Sequence, residues 1–253
     1  MYVSPSSLVE VFVFILGLLF GSFFSALSFR MTRNISISRG RSLCPNCKHK
    51  ISWYDNIPLF SFLMLWGRCR NCKKKISIRY PIIEAVTAIG FLYIYLSDGS
   101  AIHMLYSILI FATLVLIFVI DFEHQIIPDS LIFFGILVTV LKILILDQSI
   151  YSGLFAGFLA ATLLLLLNII TKGRGMGLGD VKFAVLGGLI LGLNYFLIWL
   201  FVSFLTGGIY GTILILGRRA GLKDKVAFGP FLIIGLIITQ IWGEKILRSL
   251  LLN

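Results

Sequence analysis

IHMLYSILIFATLVLIFVIDFEHQIIPDSLIFFGILVTVLKILIL, residues 102–146, reads as two apolar runs, 102–120 and 127–146, joined by a short link that opens on Asp121. A bilayer core about 30 Å thick is crossed by roughly 20 apolar residues in a helix. A segment in hydrocarbon must satisfy its own backbone hydrogen bonds, so each run is expected to be helical. The pattern recurs at 8–29, 81–97, 152–171, 181–194, 195–216 and 228–249. Eight crossings are therefore expected in an all-α, polytopic membrane protein. The sixth and seventh are divided only by a Gly-Leu-Asn turn at Gly192. Composition agrees: 58% of residues are hydrophobic and 13% charged, with a mean hydropathy of +1.00, which excludes a water-soluble fold.

A net charge of +11 would suggest nucleic acid on a soluble surface, but here the charge is clustered. Twelve of the 22 basic residues lie between Arg30 and Arg79, three between Lys172 and Lys182, and four between Arg218 and Lys225. Basic residues concentrate in cytoplasmic loops, so all three clusters are expected in the cytosol, with both termini outside and no nucleic-acid partner. No basic residue precedes the first apolar run and no small-residue cleavage pattern follows it before Arg30, so that run is expected to stay in the mature protein.

Three regions are expected: a first helix at 1–29, a cytosolic domain at 30–80 and a membrane core at 81–253. The middle region is too short for a large core and needs a staple. Cys44-Pro-Asn-Cys47 and Cys69-Arg-Asn-Cys72 supply one and account for all four cysteines. Two such turns suit tetrahedral zinc, which would be structural because four protein ligands leave no open position. A pair of redox disulfides is the alternative, disfavoured by a cytosolic placement.

Eleven acids are few enough to take singly. Asp98 and Asp147 belong to external turns, Glu10 and Glu244 lie near outer helix ends, and Asp55 and Asp224 sit in basic segments. Glu84 falls inside the second apolar run, where a carboxylate must be paired or face a polar cavity, and an ion pair with a nearby arginine is the simpler expectation. The remaining four occur in DFEHQIIPD, Asp121 to Asp129, and in Gly177-Leu-Gly-Asp180. Asp121 closes one apolar run and Asp180 opens another, and the charge-derived topology brings both to one leaflet. Two carboxyls sharing a proton can hydrolyse a peptide, one activating water while the other protonates the carbonyl. No HExxH motif is present, and His49, His103 and His124 are scattered, which speaks against a zinc hydrolase. Helix capping is the plain alternative for Asp180 and for Asp129 after Pro128.

In order and spacing these landmarks resemble the type IV prepilin peptidases, membrane aspartyl proteases of the GxGD type. The resemblance covers nearly the whole chain. It rests on Gly21-Ser-Phe23 with Arg30, the block from Cys44 to Glu84, DFEHQIIPD, GMGLGDVK from Gly175 to Lys182, and FGPF from Phe228 to Phe231. Ser25 departs from the Asn of many members, and Ile37-Ser38-Arg39-Gly40 lacks a proline often found there. The resemblance implies Asp121 and Asp180 as the catalytic pair, with Asp129, Gly177, Gly179 and Lys182 in support. It implies removal of the basic leader from prepilin or pseudopilin precursors at the cytoplasmic face of a bacterial inner membrane, for pili, secretion or DNA competence. Methylation of the new N-terminus by S-adenosylmethionine is implied in the same way, without an assigned donor site. Glu123, Asp129 and the catalytic pair are the acids available to attract the leader. The competing reading is an ion-coupled transporter with a zinc-stapled cytosolic domain, which predicts acids in mid-helix and inverted repeats; no internal repeat is expected here. A non-catalytic scaffold is the third reading, and it leaves the paired aspartates without a task.

Overall fold

The computed structural model describes residues 7–33, 42–146, 149–173, 175–218, 221 and 226–251. Residues 37–40, Asp147, Asp224 and part of the 218–225 basic cluster lie outside them. Among the described residues the chain is helical, with no strand and two isolated bridges. Eight long helices appear where apolar runs stand in the sequence: α1 (Ser7–Met31), α3 (Arg79–Ser97), α4 (Ala101–His124), α5 (Asp129–Ile145), α6 (Ile150–Ile170), α7 (Leu178–Leu191), α8 (Phe196–Leu216) and α9 (Gly229–Leu251). The short α2 (Phe60–Met64) lies between α1 and α3. Six of the long helices have the length and composition to cross a membrane, so this is a multi-pass membrane protein. The other two are shorter than a straight crossing needs, α5 with 17 residues and α7 with 14. Gly192 does end α7, at φ +72, a backbone conformation that suits glycine.

The contacts group into two compact units, residues 1–116 and 117–253. In the first, α1 lies against α3 through Gly17 and Gly21. A Cβ at Gly17 would fall 2.5 Å from the Cα of Ala88, and one at Gly21 would fall 2.6 Å from the Cα of Glu84. This is the small-xxx-small contact that lets helix backbones approach where lipid offers no hydrophobic drive. In the second unit, Gly153 and Gly157 of α6 do the same for α7. Added Cβ atoms there would lie 2.8 Å from the Leu189 carbonyl and 2.7 Å from that of Val185. Further along, the fully buried Trp199 of α8 donates its indole N–H to the Leu232 carbonyl of α9 at 2.8 Å.

The cysteine loop contains an internal repeat, which corrects the expectation of none. Cys-x-Asn-Cys-Lys-x-Lys-Ile-Ser occurs at 44–52 and again at 69–77. Each copy folds alike. Leu43 bridges Lys50 as Arg68 bridges Lys75. The N–H of Cys44 donates to the His49 carbonyl at 3.0 Å, and that of Cys69 to the Lys74 carbonyl at 2.9 Å. Lys48 and Lys73 both take φ +58, turning the chain back over the thiols.

Candidate active site

The two knuckles bring the Sγ atoms of Cys44, Cys47, Cys69 and Cys72 within 4.8 Å of one another, and no disulfide joins them. Tetrahedral zinc with arms of about 2.3 Å sets its sulfurs roughly 3.8 Å apart. The Cys44 to Cys72 separation of 4.0 Å fits that figure. The repeat also crosses over: Asn46 points its amide at Cys72 Sγ, at 4.0 Å, and Asn71 points its amide at Cys47 Sγ, at 3.8 Å. The four thiols can hold a metal ion, and these amides would steady it from the second layer.

Glu84 is 7% exposed. Its carboxylate accepts the Leu59 N–H at 2.8 Å and also the Ser22 hydroxyl. These hydrogen bonds stand where the sequence suggests an arginine. They join three segments of the first unit, α1, the approach to α2, and α3.

The aspartates lie in the second unit. Asp121 occupies the last turn of α4 and Asp180 the first turn of α7, and both are buried, at 4% and 7% exposure. Their carboxyls are within electrostatic reach of each other. Asp180 is the third residue of its helix, so it is not the N-cap; Gly177 holds that position and donates its N–H to Asp180 Oδ2 at 2.9 Å. The side chain is thus oriented by the turn that the GxGD glycines make. Gly179 is packed tightly, since a Cβ there would lie 3.2 Å from the Cβ of Ile127. The loop before this turn is fastened by Asn168, whose amide donates to the Met176 carbonyl at 2.6 Å.

Asp121 meets the start of α9. A Cβ on Gly229 would fall 2.5 Å from Asp121 Oδ2 and 3.1 Å from Ile127 Cδ1, and the Gly229 backbone N–H bears on the same carboxyl. Oδ2 itself is buried with no hydrogen-bond partner of good geometry. Ile127, 8% exposed, therefore wedges between Gly179 and Gly229 and joins the segments carrying the two acids. Asn168 lies outside the quoted motifs, and Ile127, although inside DFEHQIIPD, is an apolar residue whose contacts the sequence does not reveal. The glycine of FGPF is recognisable in the sequence, but its contact with Asp121 is not.

Asp129 sits one residue inside α5, with Pro128 as the N-cap and no side-chain capping bond. Its carboxylate instead takes the Lys182 ammonium at 2.8 and 2.9 Å. That ion pair links the start of α5 to the first turns of α7, fastening the far end of the DFEHQIIPD segment to the GxGD helix. It also commits the charge of Asp129, leaving less of it to draw a basic leader.

The description "Bacterial Peptidase A24 N-terminal domain" matches residues 15–97, and "Type IV leader peptidase family" matches residues 108–212. Among similar proteins is the prepilin leader peptidase/N-methyltransferase of Bacillus subtilis (strain 168), 30% identical over 93% of this chain and 95% of the relative. Proteins of the same name from Legionella pneumophila and Pseudomonas aeruginosa are 35% and 31% identical, covering 82% and 83% of this chain and 74% of each relative. No solved structure matches. With likeness of this extent reaching across both units, the chain belongs to the type IV leader peptidase family.

Proposed function

We propose that the protein is a membrane aspartyl endopeptidase that removes the basic leader of type IV prepilin-like precursors and N-methylates the exposed terminus, with Asp121 and Asp180 as its catalytic pair. The observation that supports this is a pair of buried carboxyls at helix ends within electrostatic reach of each other, one held by the Gly177 N–H and the other keeping a bare oxygen beside Gly229. Two close carboxyls share a proton. The ionised one removes a proton from water as the water oxygen bonds to the scissile carbonyl carbon, while the protonated one donates to the carbonyl oxygen. Collapse of the tetrahedral intermediate breaks the C–N bond, the leaving amine takes a proton, and the pair returns to its starting state. The absent Cβ of Gly229 lets the start of α9 close up against Asp121 Oδ2, and a side chain there would displace that carboxyl.

A precursor whose hydrophobic helix lies in the bilayer and whose leader stays in the cytosol presents its scissile bond near helix ends such as those of α4 and α7. On this reading the enzyme works in the bacterial inner membrane with its site on the cytoplasmic side, which the basic loops support. Zinc on the four cysteines is structural, since it would order the loop and, with four thiolates, keep no position for substrate. S-adenosylmethionine carries a sulfonium, an ammonium and a carboxylate. The open hollow beside the second knuckle is lined by Arg68, Arg70 and Lys73, which could meet the carboxylate but offer no acid to the two cationic groups, and no methyl-transfer step is assigned to it. The transporter reading gains nothing from the geometry, because the acids stand in terminal turns.

The direct test is incubation of the purified protein in detergent with a pilin precursor and added S-adenosylmethionine, followed by mass spectrometry. Loss of the leader mass together with gain of one methyl group is expected. An unchanged precursor would overturn the peptidase assignment, and cleavage without the methyl gain would overturn the second activity.

A further inference from the structure

The cysteine loop is polar in composition, yet α2 turns its apolar face outward. Phe60, Leu63 and Met64, at i, i+3 and i+4 on one helical face, are 56%, 70% and 65% exposed, and Trp66 in the turn that follows is 88% exposed. A helix in water does the reverse. Phe62 folds back onto Gly67, so the outward set is not a failure to pack but a division of the segment into two faces. Directly beyond Trp66 an open hollow of about 470 Å³ is lined by Leu65, Trp66, Arg68, Cys69, Arg70 and Lys73. Arg70 is engaged with Asp55 through bonds of 2.7 to 3.0 Å, and Arg68 and Lys73 carry the remaining charge.

The height of this surface follows from one hydrogen bond. Leu59, the residue before α2, donates its N–H to Glu84 at 2.8 Å. Glu84 lies five residues into α3, which is long and apolar enough to span, and five residues of helix advance about 8 Å. α2 is thereby tied to the depth at which α3 enters the bilayer. Aromatic and aliphatic side chains beside basic ones at that depth are the composition of an interfacial segment.

We propose that α2 and the basic hollow beside it form a binding surface for anionic phospholipid, with Leu63, Met64 and Trp66 among the upper acyl chains and Arg68 and Lys73 on the headgroup phosphate. The surface anchors the cysteine loop to the membrane it adjoins. The inference rests on the membrane reading of the chain and is independent of the peptidase chemistry.

The test uses the full-length protein with a photoactivatable phenylalanine derivative at Leu63, in nanodiscs of equal phosphatidylcholine and phosphatidylglycerol. Irradiation should give phospholipid adducts by mass, with phosphatidylglycerol enriched roughly fivefold for each basic side chain engaged. Combining Arg68→Glu with Lys73→Glu should remove the enrichment and leave adducts of both lipids. Arg68→Gln with Lys73→Gln repeats the comparison should charge reversal hinder insertion. Absence of lipid adducts, or adducts formed instead with a second copy of the chain or with added pilin precursor, would overturn the surface. Equal labelling of the two lipids by the unsubstituted loop would overturn the headgroup contact.

Discussion

Both units use glycines spaced by four to bring a helix pair together, Gly17 and Gly21 in one, Gly153 and Gly157 in the other, yet they build opposite kinds of site. In the first unit the four thiols come from one stretch, 44–72, folded as two copies of one knuckle and held by bonds inside each copy. In the second, the aspartate site draws on segments at 121–129, 177–182 and 229, and its fit depends on missing side chains at Gly179 and Gly229. A metal site built locally is held by ligand chemistry and tolerates motion around it. A site assembled from distant helices is held by close packing and does not.

The sharpest way to break the second site is chemical. Asp121→Asn or Asp180→Asn should each lower cleavage by about 10³-fold or more, the scale of a general acid or base, while the protein still inserts. Methylation of an already cleaved substrate should persist, with both readings taken from product masses. Next in size is steric: Gly229→Ala pushes a methyl onto Asp121 Oδ2 and should cost about 10²-fold in kcat, as a misplacement near 1 Å does. Gly208→Ala in α8, where a Cβ meets nothing within 4 Å, should leave kcat unchanged and serves as the control.

The first site should respond the other way. Cys69→Ser, or a strong chelator, should release zinc measurable by elemental analysis and open residues 42–78 to limited proteolysis, because binding at such a site is folding free energy. Cleavage should fall by far less than in the aspartate variants. Complete loss of cleavage with the loop still protected would give the loop a direct part in the reaction. The smallest effect belongs to the Asp129–Lys182 pair, half-exposed on both sides. Asp129→Asn or Lys182→Gln should cost about 0.5 kcal/mol, roughly a factor of two in rate, and exchanging the two residues should recover part of it.

The helices and the cysteine cluster are legible in the sequence because they depend on neighbours along the chain. Runs of apolar residues mark the membrane helices, and even the weak Gly192 turn falls where the Gly-Leu-Asn punctuation stands. The repeated knuckle is equally local, and a register-by-register comparison of 44–52 with 69–77 reveals it. What the sequence conceals are meetings between distant residues. Leu59 as the partner of Glu84 involves a backbone N–H, which any residue but proline could supply. The wedge of Ile127 between Gly179 and Gly229 rests on shape, and the Lys182 partner of Asp129 displaces a capping role that local preference favours. The outward face of α2 is hidden for a different reason: loop composition averages over its two sides.

α7 has one further consequence. Its 14 residues rise about 21 Å, against a hydrocarbon layer of about 30 Å. A helix that short leaves a deficit of about 9 Å, which the bilayer meets by thinning or which water fills from one side. If the deficit is gathered at the Gly177 end, Asp180 stands at the bottom of a wet dimple. On the proposed assignment of Asp180, hydrolysis would then take place below the lipid surface, reached by water from one side.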